Sequence, residues 1–313
     1  MCNSVARRLR EHSVRFRTVY KGVKMTDSAD QLAANKQVVL DYFRDVVAAF
    51  DVRPLEHFIA RDFVLHGADD LVGIDAFEQI LLRDFAGHPP LDPADVKMLP
   101  PAFVLAEGDL VTIAFYMPMA EPDEAGAAYD YYGFNTYRIT DGKIAERWTN
   151  EHRYARPQFL PEMALGNPAT GPEHVGGTDL EANKALVAGF YAEVFGPLNA
   201  EAVKDFVTDD YLQHVKHMPQ GRRGLEAFVE SLAAQAPPPP APAEDGAPPV
   251  APAPDVLHAE GDMVVIAAGL PQPLRDGSGG TWNYFAYDAY RVRDGKLAEH
   301  WSGIDKHARP EHG

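Results

Sequence analysis

Cysteine is nearly absent. The single residue, Cys2, has no partner in the chain, which excludes an internal disulfide and fits a reducing, cytoplasmic compartment. Long apolar runs are missing as well, and no stretch approaches the ~20 residues of a membrane-spanning helix. Basic residues are scarce: 29 Lys and Arg stand against 46 Asp and Glu, a formal charge of -17 that repels the phosphates a nucleic-acid binder must neutralise. Nucleic acid and membrane are therefore not expected partners. What is present is ordinary for globular protein. Of 313 residues, 46% are hydrophobic and 24% charged, enough for two domains with separate cores rather than a fibrous or disordered chain.

The few cations are unevenly placed. Arg7, Arg8, Arg10, Arg15, Arg17, Lys21 and Lys24 crowd the start of the chain, with Glu11 as their acid. An Arg-rich, acid-poor start without an apolar h-region is what an organelle transit peptide looks like. An upstream extension ahead of an ordinary start at Met25, or a disordered tail, is the competing expectation. Either way, residues 1–30 are expected to form a disordered basic extension outside the fold.

The rest of the chain is written twice. Ala34-Asn35-Lys36 returns as Ala182-Asn183-Lys184, each ahead of an aromatic pair, Tyr42-Phe43 and Phe190-Tyr191. Phe63-Val64-Leu65-His66 returns as Tyr211-Leu212-Gln213-His214, and the Glu-Gly-Asp at 107–109 as that at 260–262. The longest match sets Tyr137 through Trp148 against Tyr290 through Trp301. Matches in this order along a whole unit indicate tandem duplication.

Within each unit, helical signals come first and strands follow. Apolar residues recur at helical spacing over about 31–50 and 180–195. Pro54 suits the start of a second short helix, and Asn199 caps its counterpart over Ala200–Phe206. A strand at 63–66 or 211–214 precedes a third helix from Asp75 or Leu225. Glu-Gly-Asp and Asp-Gly (141–142, 294–295) then mark turns between strands. This order predicts an α+β fold class, three helices packed on the concave face of a curved antiparallel sheet, with a cone-shaped cavity between them. The expected units are residues 31–156 and 180–310, joined by a linker at 157–179 and interrupted in the second by a Pro-rich loop at 236–254.

On these residues, above all 211–214, 259–262 and 288–301, each unit resembles the SnoaL-like branch of the nuclear-transport-factor-2-like superfamily, which includes polyketide cyclases. The resemblance implies cone-shaped α+β barrel domains without a metal or organic cofactor. Such cyclases hold a polycyclic ketone or ester in the cone and move protons beside its carbonyl. It thus implies a small hydrophobic or aromatic carbonyl ligand and proton transfer of the cyclisation, isomerisation or aldol-condensation type, the work of an isomerase or lyase. A non-catalytic ligand-binding or assembly protein is the alternative, because one fold hosts many functions. Superfamily domains often pair through their sheets, which implies a pseudo-dimer within the chain or else a homodimer.

That chemistry requires a base and an acid facing one apolar cavity. Asp288 lies among Tyr284, Tyr287 and Tyr290, and alternation puts Trp282, Tyr284, Ala286, Asp288 and Tyr290 on one face. A carboxylate in an aromatic pocket can act as a general base; pairing with Arg291 or tyrosine hydroxyls to hold the sheet is the competing account. Its counterpart Asn135 cannot be a base, so the first unit is expected to be the weaker catalyst. The position after the last-strand Trp, where the resemblance places an acidic residue, holds Thr149 and Ser302. Asp305 is offset to the other face of the strand.

His214 is the candidate acid or carbonyl donor, with His300 and Ser302 orienting. Gln213, Tyr284 and Trp301, and in the first unit His66, Asn135 and Trp148, are candidate pocket residues. For His66 and His214 a structurally bonded imidazole competes, and for the Trp pair a place in the core. His214 and His217 are three apart, on opposite faces of a strand, and do not form a metal site.

Overall fold

The computed structural model describes residues 28–154, 170–174, 178–215, 218–236 and 254–303. Residues 1–27, most of the expected linker, nearly all of the Pro-rich run, and His217, Asp305 and His307 lie outside the described residues.

The first half opens with α1 (Ala29–Tyr42), whose start is capped by the Ser28 hydroxyl accepting from the Gln31 amide at 3.1 Å. Val39 and Tyr42 form its buried stripe. A π-helical turn, Phe43–Val47, follows without a break. Then come α2 (Leu55–Phe58), β1 (Ile59–His66), the short β2 (Leu71–Val72) and α3 (Ile74–Asp84). The remaining strands are β3 (Phe103–Glu107), β4 (Leu110–Tyr116), the small hairpin β5 (Met119–Ala120) and β6 (Ala128–Tyr129), β7 (Tyr132–Thr140) and β8 (Lys143–Thr149). They assemble a six-stranded sheet in the order β2-β1-β8-β7-β4-β3.

The second half repeats the plan. Its α4 (Leu180–Phe190) is capped by Asp179 and runs into a π-helical turn, Tyr191–Phe195. A 3-10 turn begun by Asn199 leads to α5 (Val203–Phe206), β9 (Val207–Gln213) and α6 (Gly221–Gln235). The strands β10 (Val256–Glu260), β11 (Met263–Pro273), β12 (Thr281–Arg293) and β13 (Lys296–Ser302) complete a five-stranded sheet, ordered β10-β11-β12-β13-β9. Asp141-Gly142 and Asp294-Gly295 all have positive φ, as a tight hairpin turn requires.

Two expectations need correction. The sheets are mixed, because β1 runs parallel to β8 and β9 parallel to β13. Those partners are joined by almost a whole unit rather than a hairpin, so no tight turn dictates an antiparallel approach. The third helix of the second half starts at Gly221, ahead of Leu225. Gly221 and Gly224 disfavour helix locally, and burial of Leu225, Val229 and Leu232 overrides that cost of about 1 kcal/mol per glycine.

Each sheet has two apolar faces. One packs on its own helices, with Val39, Phe63, Phe77 and Tyr137 in the first half and Val187, Phe190, Val229 and Tyr290 in the second. The other faces meet each other in a shared layer that includes Phe103, Leu105, Phe134 and Trp148 from the first half and Val265, Phe285, Tyr287 and Trp301 from the second. Phe134 stacks on Tyr287 with centroids 5.2 Å apart. Gly303 lets Asn150 of the other half approach and donate to its carbonyl at 3.0 Å; a Cβ at Gly303 would lie 2.2 Å from that amide nitrogen.

The repeated motifs explain themselves at the rim of this layer. Asn35 donates to the Gly108 carbonyl of its own half, and Asn183 does the same to Gly261. The neighbouring lysines cross over: Lys36 bonds Glu260 at 2.6 Å and Lys184 bonds Glu107 at 2.5 Å. Each glutamate also accepts a main-chain amide of the opposite sheet, Ala106 to Glu260 at 2.7 Å and Ala259 to Glu107 at 2.6 Å. Truncating Lys184 to Met leaves Glu107 largely desolvated without its cation, which is expected to cost about 2–3 kcal/mol. Adding Glu107→Gln to that variant is expected to cost less than the sum of the single changes, read as a double-mutant cycle in urea.

His258 lies inside the layer, its Nε2 2.6 Å from the Thr112 hydroxyl and its Nδ1 without a hydrogen-bond partner among the described residues. Burial, reinforced by the charges of Lys184 and Lys36, pushes its pKa down to about 3. Between that value and the ordinary ~6.5 the unfolded chain binds a proton that the folded chain refuses, so stability rises with pH across this window. At pH 4 the loss amounts to about 3 kcal/mol. His258→Gln is expected to flatten the fall in Tm between pH 6.5 and 4; an equally steep fall would remove His258 as its source.

Candidate functional site

Strand pairing sets Asp288 opposite Ser302 and Tyr290 opposite His300. All four therefore point to the face that meets the helices, the concave side of the second half. Asp288 is the hub. Its Oδ1 lies 2.9 Å from His300 Nε2, and its Oδ2 accepts a short hydrogen bond from the Tyr191 hydroxyl. Tyr191 is delivered by the π-helical turn after α4, and its hydroxyl also lies 3.0 Å from that of Tyr290. The other imidazole nitrogen, His300 Nδ1, lies 2.5 Å from Gln213 Oε1 at the end of β9. Tyr290 stacks on the His300 ring with centroids 4.7 Å apart.

Gln213 presents an oxygen to Nδ1, an arrangement that suits the tautomer with hydrogen on Nδ1, and Nε2 faces the Asp288 carboxylate. Burial pushes the Tyr191 hydroxyl well above its ordinary pKa, and the negative Asp288 pushes it further. Tyr191 therefore remains a donor. The Asp288 side chain keeps 20% of its surface open, against 8% for His300, so the carboxylate is the more accessible member. Ser302 is buried on the same face, and its hydroxyl has no partner among the described residues.

The remaining candidates are placed elsewhere. His214 and Trp301 point away from the cone, toward the shared layer. The His214 ring stacks on Trp301 at 4.1 Å and its Nε2 lies 2.7 Å from Glu299. Arg291 reaches Glu299 at 3.0 Å and lies over Trp301. The His214 hydrogen bond holds the Glu299 carboxyl below its ordinary pKa against burial, with Arg291 helping. The first half builds the same group from His66, Trp148, Glu146 and Arg138. The expectation that His214 and His66 serve the pocket is corrected, as is that for Trp301 and Trp148. Strand alternation fixes the point: a residue beside His300 or beside Gln213 faces the opposite way. Tyr284 sits farther along β12 in a cluster with Leu270 and Trp282 and donates to the Gly303 carbonyl at 3.1 Å, so it is a neighbour of the site and not part of the Asp288 network.

A cavity of about 710 Å3 lies in the cone of the first half. Asn135 lines it, and so does Arg147, which occupies the place of His300. Arg147 donates through Nε and Nη2 to Asn135 Oδ1, at 2.9 and 2.7 Å, and through Nη2 to Glu151 at 2.9 Å. The sequence pattern places Tyr290 on the face of Asp288 and Tyr191 in the repeated aromatic pair without giving either a catalytic role, and it does not single out Arg147. The available signal is the repeat itself, which sets Tyr191 against Phe43 and His300 against Arg147. Among the described residues, no group of His, Cys, Asp and Glu has the makings of a metal site, and no helix is long and apolar enough to cross a membrane.

Comparison with known proteins agrees with this architecture. The sequence pattern of the SnoaL-like domain matches residues 39–147 and again residues 187–300. Similar solved structures each correspond to a single unit. TsrD from Streptomyces laurentii is 19% identical over 40% of this chain and 89% of its own, with a TM-score of 0.29. A SnoaL-like polyketide cyclase from Agrobacterium tumefaciens is 16% identical over 37% of this chain and 88% of its own, with a TM-score of 0.28. An epoxide hydrolase of the LEH-like kind from Mycobacterium tuberculosis is 12% identical over 38% of this chain and 83% of its own, with a TM-score of 0.29. No curated protein matches the chain. With the pattern matched once in each half and covering most of the sequence, the chain belongs to the SnoaL-like domain family as a tandem pair.

Proposed function

We propose that the protein binds a small hydrophobic or aromatic carbonyl compound and catalyses proton transfer beside the carbonyl in its second half, without a cofactor. The observation that carries this reading is the line of contacts from Tyr191 through Asp288 and His300 to Gln213 on the apolar wall of a cone. Asp288 takes a proton from the carbon next to the carbonyl. The C–H electron pair moves onto the carbonyl oxygen as an enolate, and the proton, shared with His300, returns to carbon or to a new alkoxide. In this reading the Ser302 hydroxyl, which has no protein acceptor among the described residues, donates to the developing oxyanion. Gln213 keeps the imidazole in register and Tyr191 donates to the carboxylate.

Proton abstraction has a readout that needs no knowledge of the natural product: exchange of hydrogen for deuterium beside the carbonyl of an aromatic ketone, followed by NMR in D2O. The wild type is expected to accelerate exchange, and Asp288→Asn to reduce it at least ~100-fold while leaving near-UV circular dichroism unchanged. Tyr191→Phe and His300→Gln are expected to fall between. Exchange by Asp288→Asn at the wild-type rate would sink the assignment.

A second reading is a non-catalytic ligand-binding or assembly protein. It is favoured by the first half, where the cavity of about 710 Å3 is lined by Asn135 in place of a carboxylate. We further propose that the units span residues 31–156 and 180–310 and form a pseudo-dimer within one chain. The shared apolar layer and the crossed Lys36–Glu260 and Lys184–Glu107 pairs support this. Light scattering is expected to give a monomer mass; a stable homodimer would count against it.

A further inference from the structure

The two cones differ in the sign of charge at equivalent depth. In the second, a carboxylate, Asp288, meets an imidazole. In the first, the same positions hold the neutral amide of Asn135 and the guanidinium of Arg147. We infer that the first-half cavity is a binding site for an apolar carboxylate, its carboxyl group taken by Arg147 and its ring system held between Phe43, Phe115 and Met117. This rests on the reading that the cones hold small molecules, and not on turnover in the second half.

Three observations support the assignment. First, Arg147 and Asn135 leave hydrogen-bond donors unused on the cavity floor. Arg147 spends Nε and Nη2 on Asn135 and Glu151, and Nη1 has no acceptor among the described residues. Asn135 uses its oxygen for Arg147, which leaves its amide N–H groups to face a ligand. Nη1 and the Asn135 amide together match the two oxygens of a carboxylate, where a neutral ketone has one.

Second, the acid paired with the guanidinium faces solvent. The ion-pair partner Glu151 has a side chain 64% exposed, against 12% for Arg147, so water screens the acid while the cation sits among apolar groups. The rim adds no net sign: Arg83 pairs with Asp84 at 3.1 Å and Arg153 with Asp69 at 3.7 Å. Third, the remaining walls are mostly apolar and aromatic, with Thr149, Asn150 and His152 as polar members, and about 710 Å3 falls in the range of pockets for drug-sized molecules, roughly 300–1,000 Å3. The first half has thereby exchanged a base for an anion receptor. A carboxylate in the second cone would instead meet Asp288 and be repelled.

The test titrates the full-length protein with 2-naphthoate, anthracene-2-carboxylate, the neutral isostere 2-naphthamide and the ketone 2-acetylnaphthalene, by calorimetry. The wild type is expected to bind a carboxylate at least ~10-fold tighter than the amide. Arg147→Gln is expected to abolish that preference while retaining the amide affinity, with folding checked by near-UV circular dichroism. Ile80→Trp, which fills the cavity and leaves Arg147 in place, is expected to remove carboxylate binding; Asp288→Asn is expected to leave it unchanged.

Equal affinity for carboxylate and amide, or a preference that survives both Arg147→Gln and Ile80→Trp, would overturn the inference. If no carboxylate binds while 2-acetylnaphthalene does, this inference falls and the proton-transfer reading stands. If nothing in the series binds, both fall.

Discussion

The structure depends on the packing of one sheet against the other. A sheet that bears apolar side chains on both faces needs two coverings, and each half carries helices for only one. The second covering is the other half. Phe134 on Tyr287, and Phe103 against Trp301 at 5.6 Å, form the centre of the layer, and crossed lysine–glutamate pairs close its rim. Because each glutamate side chain also accepts a main-chain amide of the opposite sheet, the rim ties side chain to backbone across the layer and leaves little freedom for the halves to slide.

That constraint decides which side chains can reach a ligand. Along β13, His300 and Ser302 face the helices while Glu299 and Trp301 face the partner sheet, and a shift of one residue would exchange the sets. The duplicated assembly of His, Trp, Glu and Arg belongs to the covered side. Its recurrence in both halves follows from the shared need to cover that face. Asp288 against Asn135, His300 against Arg147 and Tyr191 against Phe43 differ between the halves on the open side. The covered side diverges too, with Leu105 against His258 and Phe134 against Tyr287.

Much of this was legible in the sequence. The duplication, the α+β order, the Asp-Gly hairpins, the Asn199 cap and the placing of Asp288 on the same strand face as Tyr290 follow from local pattern and alternation. What local pattern does not contain is which face of a two-faced strand meets which covering. Trp301 and His300 are both buried, at 1% and 6% exposure, and burial alone gives no direction. His214, a histidine at the same place in both units, invites a functional reading until its Glu299 and Trp301 contacts are known. Tyr191 is hidden for another reason. Its hydroxyl reaches Asp288 only because the helix ends in a π-helical turn, which shifts the side chains beyond it around the helix axis.

The same turn accounts for the contrast between the cones. Phe43 and Tyr191 stand at equivalent points on equivalent turns, and they differ by one hydroxyl. In the second half that hydroxyl spans the cone to Asp288, so helix and sheet are tied across the space a ligand would use, and the carboxylate stays ordered and partly open. In the first half Phe43 has nothing to donate, and Asn135 turns its oxygen to Arg147 instead. Phe43 meets the sheet through ring contacts, with Phe115 at 4.9 Å and with Tyr137 at 6.1 Å. Ring contacts tolerate displacement better than a charged hydrogen bond does. One backbone thus yields a polar relay in one copy and, in the other, a cavity with a cation at its floor.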